Sequence, residues 1–250
     1  MTDSHHPSRP ELYDLRHGDA DRGDVPFYVD RARATDGPVL ELACGTGRVY
    51  LPLVRAGVDA VGVDTNANSL ARLREMADRE GLEHSVRVGD MTALDVDRAY
   101  DLVICPFNAL QHARTLADQR ATLSGVYDAL APGGRFVFDV FVPRFDVICE
   151  TYGEWTEQAV QYEGRDYTVR SRTRVASEVE QLFAVETELC GRAGDVIHRS
   201  EHELAMLPTP HVQLLADGSR FASYDVDGGF GDDALTDGDS IQVWTLQKAE

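Results

Sequence analysis

The sequence predicts an α/β protein built on a doubly wound, mostly parallel seven-stranded sheet, with a small antiparallel β-subdomain inserted toward its C-terminal end. Three observations predict it. From Pro38 onward, short β-branched runs alternate with helical patterns, the signature of βαβ units. The runs up to Phe141 are nearly continuously apolar, as strands buried on both faces must be. Beyond Pro143 the runs alternate in character instead, which fits an antiparallel sheet wet on one face. At 250 residues the chain suits one sizeable core with an insertion better than two full domains.

The elements follow in order. Val39 to Leu42 reads as a first buried strand, followed by a small-residue turn and a helix ending near Gly57, a suitable C′ glycine. Val58 to Val63 is a second strand. Asn66 or Asn68 then caps a helix whose apolar residues Leu70, Leu73, Met76 and Ala77 share a face and which stops before Gly81. Ser85 to Val88 and Tyr100 to Cys105 give the third and fourth strands. A helix over 116–130 is stopped by Pro132-Gly133-Gly134, and Arg135 to Phe141 forms the fifth strand. The insertion reads as three strands, QYEGRDYTVRSRTRV, QLFAVETELC and DVIHRSEHEL, with a glycine-containing turn between the last two. Pro208 and Pro210 close it. A helix over 209–216 and strands over 221–226 and 241–247 return to the main sheet, giving divisions at 1–37, 38–145, 146–207 and 208–250.

Composition narrows the function. Asp and Glu number 43 against 24 Lys and Arg, a formal charge of -19, so a polyanionic partner is repelled and nucleic acid is not expected. Lys248 is the only lysine, a skew that fits either a high-salt cytoplasm or a GC-rich genome. Cys44, Cys105, Cys149 and Cys190 show neither a CxxC pair nor zinc-site spacing, so free thiols in a reducing, cytoplasmic compartment are expected and no metal site. No apolar run approaches the roughly 18 residues of a membrane span. His5 and His6 read as part of a tail rather than as metal ligands.

The chemistry is carried by VLELACGTGRV, Val39 to Val49, where Glu41 precedes a small-residue turn at the end of an apolar strand. A glycine-rich turn into a helix presents unpaired backbone NH groups to a ligand, although a tight connection alone also uses glycine. A dinucleotide fingerprint requires a further glycine three residues after Gly47, and Tyr50 stands there, where it is expected to push the helix away. Glu41 also sets negative charge beside a pyrophosphate, so NAD is disfavoured. A ligand with an ammonium and a sulfonium gains from that carboxylate, while its own carboxylate meets the NH groups of the turn.

That description fits S-adenosylmethionine (SAM), and ELACGTG resembles the first motif of the class I SAM-dependent methyltransferases, which have a Rossmann-like fold. The motif departs from the usual three alternate glycines at Ala43, expected to be a mild change, and keeps Gly45 and Gly47. AVGVDTN places Asp64, followed by Thr65, about 20 residues past the turn, where a carboxylate can accept both ribose hydroxyls. VRVGDMTAL ends the third strand on Asp90 and Met91. The resemblance implies that this acid accepts from the adenine amine and that the next backbone NH meets a ring nitrogen. YDLVICPFNALQH, with Pro106 and Asn108, resembles the fourth motif, under the methionine and the reactive end, and LAPGGRFVFDVF resembles the lead into the fifth strand.

Residues 38 to 141 carry the resemblance most strongly. The leading YDLRHGDADRGDVPFYVDRA and the β-rich insertion are similar in layout to small-molecule methyltransferases, among them glycine and sarcosine and sugar-amine N-methyltransferases, in which an N-terminal helical cap and a β-lid cover the site. That subgroup implies a cofactor contact from a leading tyrosine, Tyr13 or behind it Tyr28, a small-molecule acceptor, and a monomer or homodimer. Transfer from a sulfonium needs alignment more than acid or base; a phenol or hydroxyl acceptor benefits from a base and a neutral amine does not. His112, after the fourth strand, is the candidate base or else a helix-start histidine without catalytic duty. Asn108 hydrogen-bonds cofactor or substrate, or caps the next turn.

In the insertion, Tyr152, Trp155, Tyr162 and Tyr167 line an acceptor pocket, make a dimer contact or simply pack the sheet. Arg170, Arg172 and Arg174 share a strand face that is either solvated or open to an anionic acceptor. Two other readings stay open: a non-catalytic SAM-binding or scaffold protein with the same fold, and a NAD-linked oxidoreductase.

Overall fold

A computed structural model describes residues 6–17 and 22–250. The elements are α1 (Arg9–His17), α2 (Asp24–Arg33), β1 (Val39–Leu42), α3 (Tyr50–Arg55), β2 (Ala60–Asp64), α4 (Ala67–Glu80), β3 (Ser85–Val88), β4 (Tyr100–Cys105), α5 (Leu116–Ala129), β5 (Leu130–Phe141), α6 (Phe145–Thr151), β6 (Thr156–Tyr162), β7 (Arg165–Ser177), β8 (Leu182–Cys190), β9 (Val196–Ala205), α7 (Thr209–Asp217), β10 (Ser223–Gly228) and β11 (Ile241–Gln247). Short 3₁₀ turns cover Met91–Ala93 and Ala109–His112. The chain forms two compact units, residues 22–143 with 207–250 and residues 1–21 with 144–206, so the leading 1–37 segment is shared between them.

The larger unit holds a seven-stranded sheet in the order β10-β11-β5-β4-β1-β2-β3, in which β11 alone runs against its neighbours. The strand order reverses between β1 and β4. In such a sheet the carboxyl ends of the strands on either side of that reversal open a crevice. Alternation along the strands divides the core. Val39, Leu102, Ile104, Val137 and Val243 pack with Tyr28, Leu51, Leu53, Leu70 and Leu73 of α2, α3 and α4. The intervening Leu40, Leu42, Val103, Phe136, Phe138 and Trp244 are buried as well and point to the opposite face. Register pairs Trp244 with Phe138, and their rings stack with centroids 6.4 Å apart.

Helix ends are specified locally. Asn66 Oδ1 accepts from the amides of Asn68 and Ser69 to start α4, and Gly81, at φ 67°, ends it. Thr115 and Asp118 form a reciprocal capping box on α5. The sole lysine finishes that helix: Lys248 Nζ donates to the carbonyls of Tyr127 and Leu130 at 2.8 and 2.6 Å.

Three expectations are corrected here. Tyr50 does not push α3 away. It is fully buried, its hydroxyl accepts from the Ser85 amide at 2.7 Å and reaches the Ala60 carbonyl at 3.1 Å, and Gly62 makes the room, since a Cβ there would lie 3.1 Å from the ring. The fifth strand begins at Leu130 rather than Arg135, because Gly133 and Gly134 bond the backbone of Ala249 and Lys248 and so prolong the sheet. Asp90 lies beyond β3, which ends at Val88, and its Oδ1 caps the following 3₁₀ turn through the Thr92 amide at 2.8 Å.

The smaller unit holds a four-stranded antiparallel sheet, β6-β7-β8-β9, where three strands were expected. The run QYEGRDYTVRSRTRV folds back at Glu163-Gly164, a two-residue loop with φ 50° and 74°, the mirror-image turn that suits hairpin twist. Glu is a poor residue for positive φ, so the turn is not marked by its first residue. Helix α6 was not anticipated either; none of its residues is buried. Within this unit Leu12 of α1 packs on Val160, Tyr167, Val169 and Leu189, which makes Tyr167 a sheet-packing residue. Tyr162 donates to Glu11 at 2.7 Å, and Tyr152 lies against Phe183 with centroids 6.4 Å apart. His6 Nδ1 is 3.3 Å from the Tyr167 hydroxyl, whereas His5 lies outside the described residues. The arginine face is neutralised across the strands. Arg170 meets Glu157 at 3.2 Å, Arg172 meets Glu186 at 3.0 Å, and Arg174 meets Glu186 and Glu201 at 2.9 and 3.0 Å. Trp155 lies under Arg170 and Arg172, 5.0 and 4.6 Å from their guanidinium carbons.

Two stability measurements check these readings. Tyr50→Phe strips the partner from buried backbone groups on two strands and is expected to cost about 1–3 kcal/mol in urea unfolding. Glu163→Asn supplies a residue that tolerates positive φ and is expected to raise stability by up to about 1 kcal/mol, seen as a higher Tm.

Candidate cofactor crevice

At the carboxyl edge of the sheet, the turn after β1 places Ala43, Gly45 and Gly47 at φ 55°, 55° and 95°. The two glycines serve different ends. A Cβ on Gly47 would collide with Leu51 and Leu73 at 2.9 Å, so this glycine lets α3 and α4 close on the strand. A Cβ on Gly45 would meet nothing nearer than 3.9 Å, so its requirement is conformational and the space above it is open. Ala43 takes the left-handed conformation with a Cβ, at a cost of roughly 1–2 kcal/mol, so replacing the usual glycine is not neutral for the backbone.

The turn is held by Asp64. Its Oδ2 accepts from the Gly45 amide at 2.9 Å and its Oδ1 from the Asn66 amide at 2.7 Å. Each oxygen keeps a second lone pair, so hydroxyl donors can be added without breaking either bond. Thr65 beside it is exposed, as is Asp90, while Met91 is half-buried.

Glu41 lies deeper, 3 % exposed, and its Oε2 finds no hydrogen-bond partner among the described residues. Burial first, then the charge of Asp64, pushes its carboxyl well above the usual carboxylate range, with Arg48 opposing. Arg48 forms a bidentate, nearly buried pair with Asp24, at 2.5 and 2.8 Å. Its guanidinium carbon lies 4.8 Å from the ring centre of Phe107, and that of Arg22 lies 4.7 Å from it.

Beyond β4, Pro106 is buried and leads into Phe107 and Asn108, both left-handed at φ 63° and 59°. Asp139 of β5 holds them there. Register sets Phe138 level with Cys105, so Asp139 falls just past the end of β4. Its Oδ1 accepts from the Phe107 amide and the Tyr28 hydroxyl, each at 2.7 Å, and its Oδ2 from the Asn108 amide at 3.1 Å. Burial nevertheless raises the Asp139 carboxyl above its ordinary range. Asn108 does not cap the 3₁₀ turn after it with its side chain, and its Oδ1 is buried without a hydrogen-bond partner. His112 is exposed at the end of that turn.

Glu41, Ala43, Gly45, Gly47, Asp64, Pro106 and Asn108 therefore share one sheet edge. Tyr28 joins them through Asp139. Tyr13 belongs to the other unit, where its ring centre lies 5.0 Å from that of His17. Sequence reading missed Asp24, Arg48, Phe107 and Asp139. Only Asp139 carried a signal, as a lone acid inside the apolar run FVFDVF.

The donor set fits SAM. A buried carboxylate oxygen and a buried amide oxygen lack partners, open space lies over a glycine turn, and a strand-end carboxylate retains lone pairs for hydroxyls. Residues 39–134 match the methyltransferase domain family. A glycine/sarcosine N-methyltransferase of Halorhodospira halochloris is 36 % identical over 122 residues, which are 47 % of this chain and 45 % of that protein, so the chain matches less than half the length of that relative. A cypemycin N-terminal methyltransferase of Streptomyces is 27 % identical over 234 residues, 90 % of each chain. The SAM-bound amino pentose methyltransferase CalS10 of Micromonospora echinaspora superposes with a TM-score of 0.72 at 21 % identity, over 98 % of this chain and 100 % of that one. Residues 39–134 thus carry a methyltransferase domain, and by motif, sheet order and relatives together the chain is similar to the class I SAM-dependent methyltransferases.

Proposed function

We propose that the chain moves the methyl group of SAM to a nitrogen or oxygen of a small-molecule acceptor. The observation that carries this reading is Glu41, a buried carboxylate with an unpartnered oxygen beside Asp64. Such a group is costly unless a cation completes it. Asp64 is suited to hold the ribose, the turn at Gly45 and Gly47 to present NH groups to the methionine carboxylate, and Glu41 to face the ammonium. Asp90 and Met91 are proposed to meet the adenine, with Thr65, beside Asp64, as a further contact.

Bound SAM supplies an electrophilic methyl on a sulfonium that departs as a neutral thioether. An acceptor lone pair would displace that thioether from the methyl carbon, and an amine acceptor would pass its proton to water. The protein's part is alignment and exclusion of water. A nitrogen acceptor is supported by three observations: His112 is exposed, Asn108 offers a carbonyl rather than a base, and the named relatives include a glycine/sarcosine N-methyltransferase and an N-terminal methyltransferase. The formal charge of -19 argues against nucleic acid as acceptor. Among the described residues no helix is long and apolar enough to cross a membrane. All four cysteines are free thiols, which supports a reducing, cytoplasmic setting.

Incubation with methyl-labelled SAM and pools of small amines, phenols and carboxylates is expected to label an amine; cofactor binding without transfer to any component of a cell extract would favour a non-catalytic role. Asp64→Ala is expected to weaken S-adenosylhomocysteine (SAH) by about 1–3 kcal/mol in calorimetry, and unchanged affinity would misplace the ribose. Glu41 gives a pH signature. Because its folded-state pKa is raised, the folded protein retains a proton that the unfolded chain has released. Its contribution to stability is present at low pH and lost as pH climbs from the ordinary carboxylate range through the folded value. Glu41→Gln is expected to flatten that dependence without lowering Tm at neutral pH, while weakening cofactor binding on the order of tenfold.

A further inference from the structure

We infer that Asp139 is a positioning residue for methyl transfer: by gripping the Phe107 and Asn108 amides it fixes a strained turn that holds the Asn108 side-chain carbonyl, unpaired, for the reacting end of the cofactor. The inference rests on the methyltransferase reading above.

Two consecutive residues other than glycine at φ 63° and 59° do not persist on local preference: Asn tolerates the left-handed region better than most residues, but Phe107 beside it is disfavoured there. Something must over-determine them. Asp139 does so with both oxygens, and its own rotamer is fixed by the 2.7 Å bond from Tyr28, itself fully buried in α2. Three elements thus converge on one carboxylate: β5 supplies it, α2 orients it, and the loop after β4 is shaped by it. Two of the three donors to Asp139 are the backbone amides of Phe107 and Asn108, one on each carboxylate oxygen, and the third is the Tyr28 hydroxyl.

What the turn presents is Asn108. A side-chain carbonyl buried without a partner is costly, and retaining it implies a donor that arrives with a ligand. In the binding mode proposed above, the loop after β4 lies under the reactive end of the cofactor. A neutral carbonyl there accepts from an acceptor N–H, or from the amine that sinefungin carries in place of the methyl-sulfonium.

That analogue gives a test without an identified acceptor. Calorimetry on the full chain compares sinefungin, which has the amine, with SAH, which has a bare thioether. The wild type is expected to prefer sinefungin. Asn108→Ala should abolish the preference, and Asp139→Asn should reduce it at least fivefold while SAH affinity stays within about threefold. The double variant should lose no more than Asn108→Ala alone, because one residue acts through the other. A merely structural Asp139 would weaken both ligands together and add to the Asn108 effect, which would overturn the inference. So would an unchanged preference in Asn108→Ala, a result that stands even if Asp139→Asn fails to fold. A wild type that binds SAH and sinefungin alike sinks the positioning role alone; one that binds neither sinks the methyltransferase reading with it.

Discussion

The constraint on which the site depends is a set of buried carboxyl groups at one sheet edge that outnumbers the cations buried with them. Glu41, Asp24 and Asp139 are each nearly or fully buried, yet the one guanidinium buried among them, Arg48, is committed in bidentate fashion to Asp24. Asp139 is relieved by three hydrogen bonds, whereas Glu41 has an oxygen with none. A sheet of this kind could bury Leu or Val at position 41 and be more stable. Retaining an acid there makes sense only if the bound state supplies positive charge, which is why the ligand is readable from an electrostatic defect.

Asp64 and Asp139 solve the same problem at two places. Each stands at or near the end of its strand and holds the loop of a neighbouring strand by its backbone amides, Asp64 that of β1 and Asp139 that of β4. Those loops carry the left-handed residues Ala43, Phe107 and Asn108. At β4 the carboxylate takes the amides of the left-handed residues themselves, Phe107 and Asn108, whereas at β1 it takes that of Gly45, two residues beyond Ala43. The crevice is thereby shaped before any ligand enters, so little binding energy is lost in ordering it.

How much of this was legible follows from the same physics. The strand and helix pattern of 38–130 was readable because buried parallel strands and capped amphipathic helices announce themselves locally, as Asn66 and Gly81 do for α4. The glycine turn and the acids Glu41 and Asp64 were readable because their spacing is imposed by the turn. Tyr50 misled, since the clearance for its ring comes from Gly62, a residue on another strand whose role appears only in register. The hairpin at Glu163-Gly164 was hidden because Glu gives no sign of positive φ. Arg48, Phe107 and Asp139 are tied to partners 24 to 111 residues away, and no local pattern encodes that closure.

The distribution of charge also separates binding from chemistry. Methyl transfer discharges the sulfonium, so a carboxylate placed against the sulfur would stabilise the reactant more than the transition state and slow the reaction. The ammonium keeps its charge throughout, so a carboxylate facing it binds both states alike and leaves the barrier untouched. An efficient site therefore keeps its ionised acids at the binding end and offers only neutral dipoles at the reacting end. The crevice is arranged in that sense. Glu41 and Asp64 stand together at the β1 and β2 edges, whereas at the β4 and β5 edges the one buried carboxylate, Asp139, is turned onto backbone amides and the group left unpartnered is the Asn108 carbonyl.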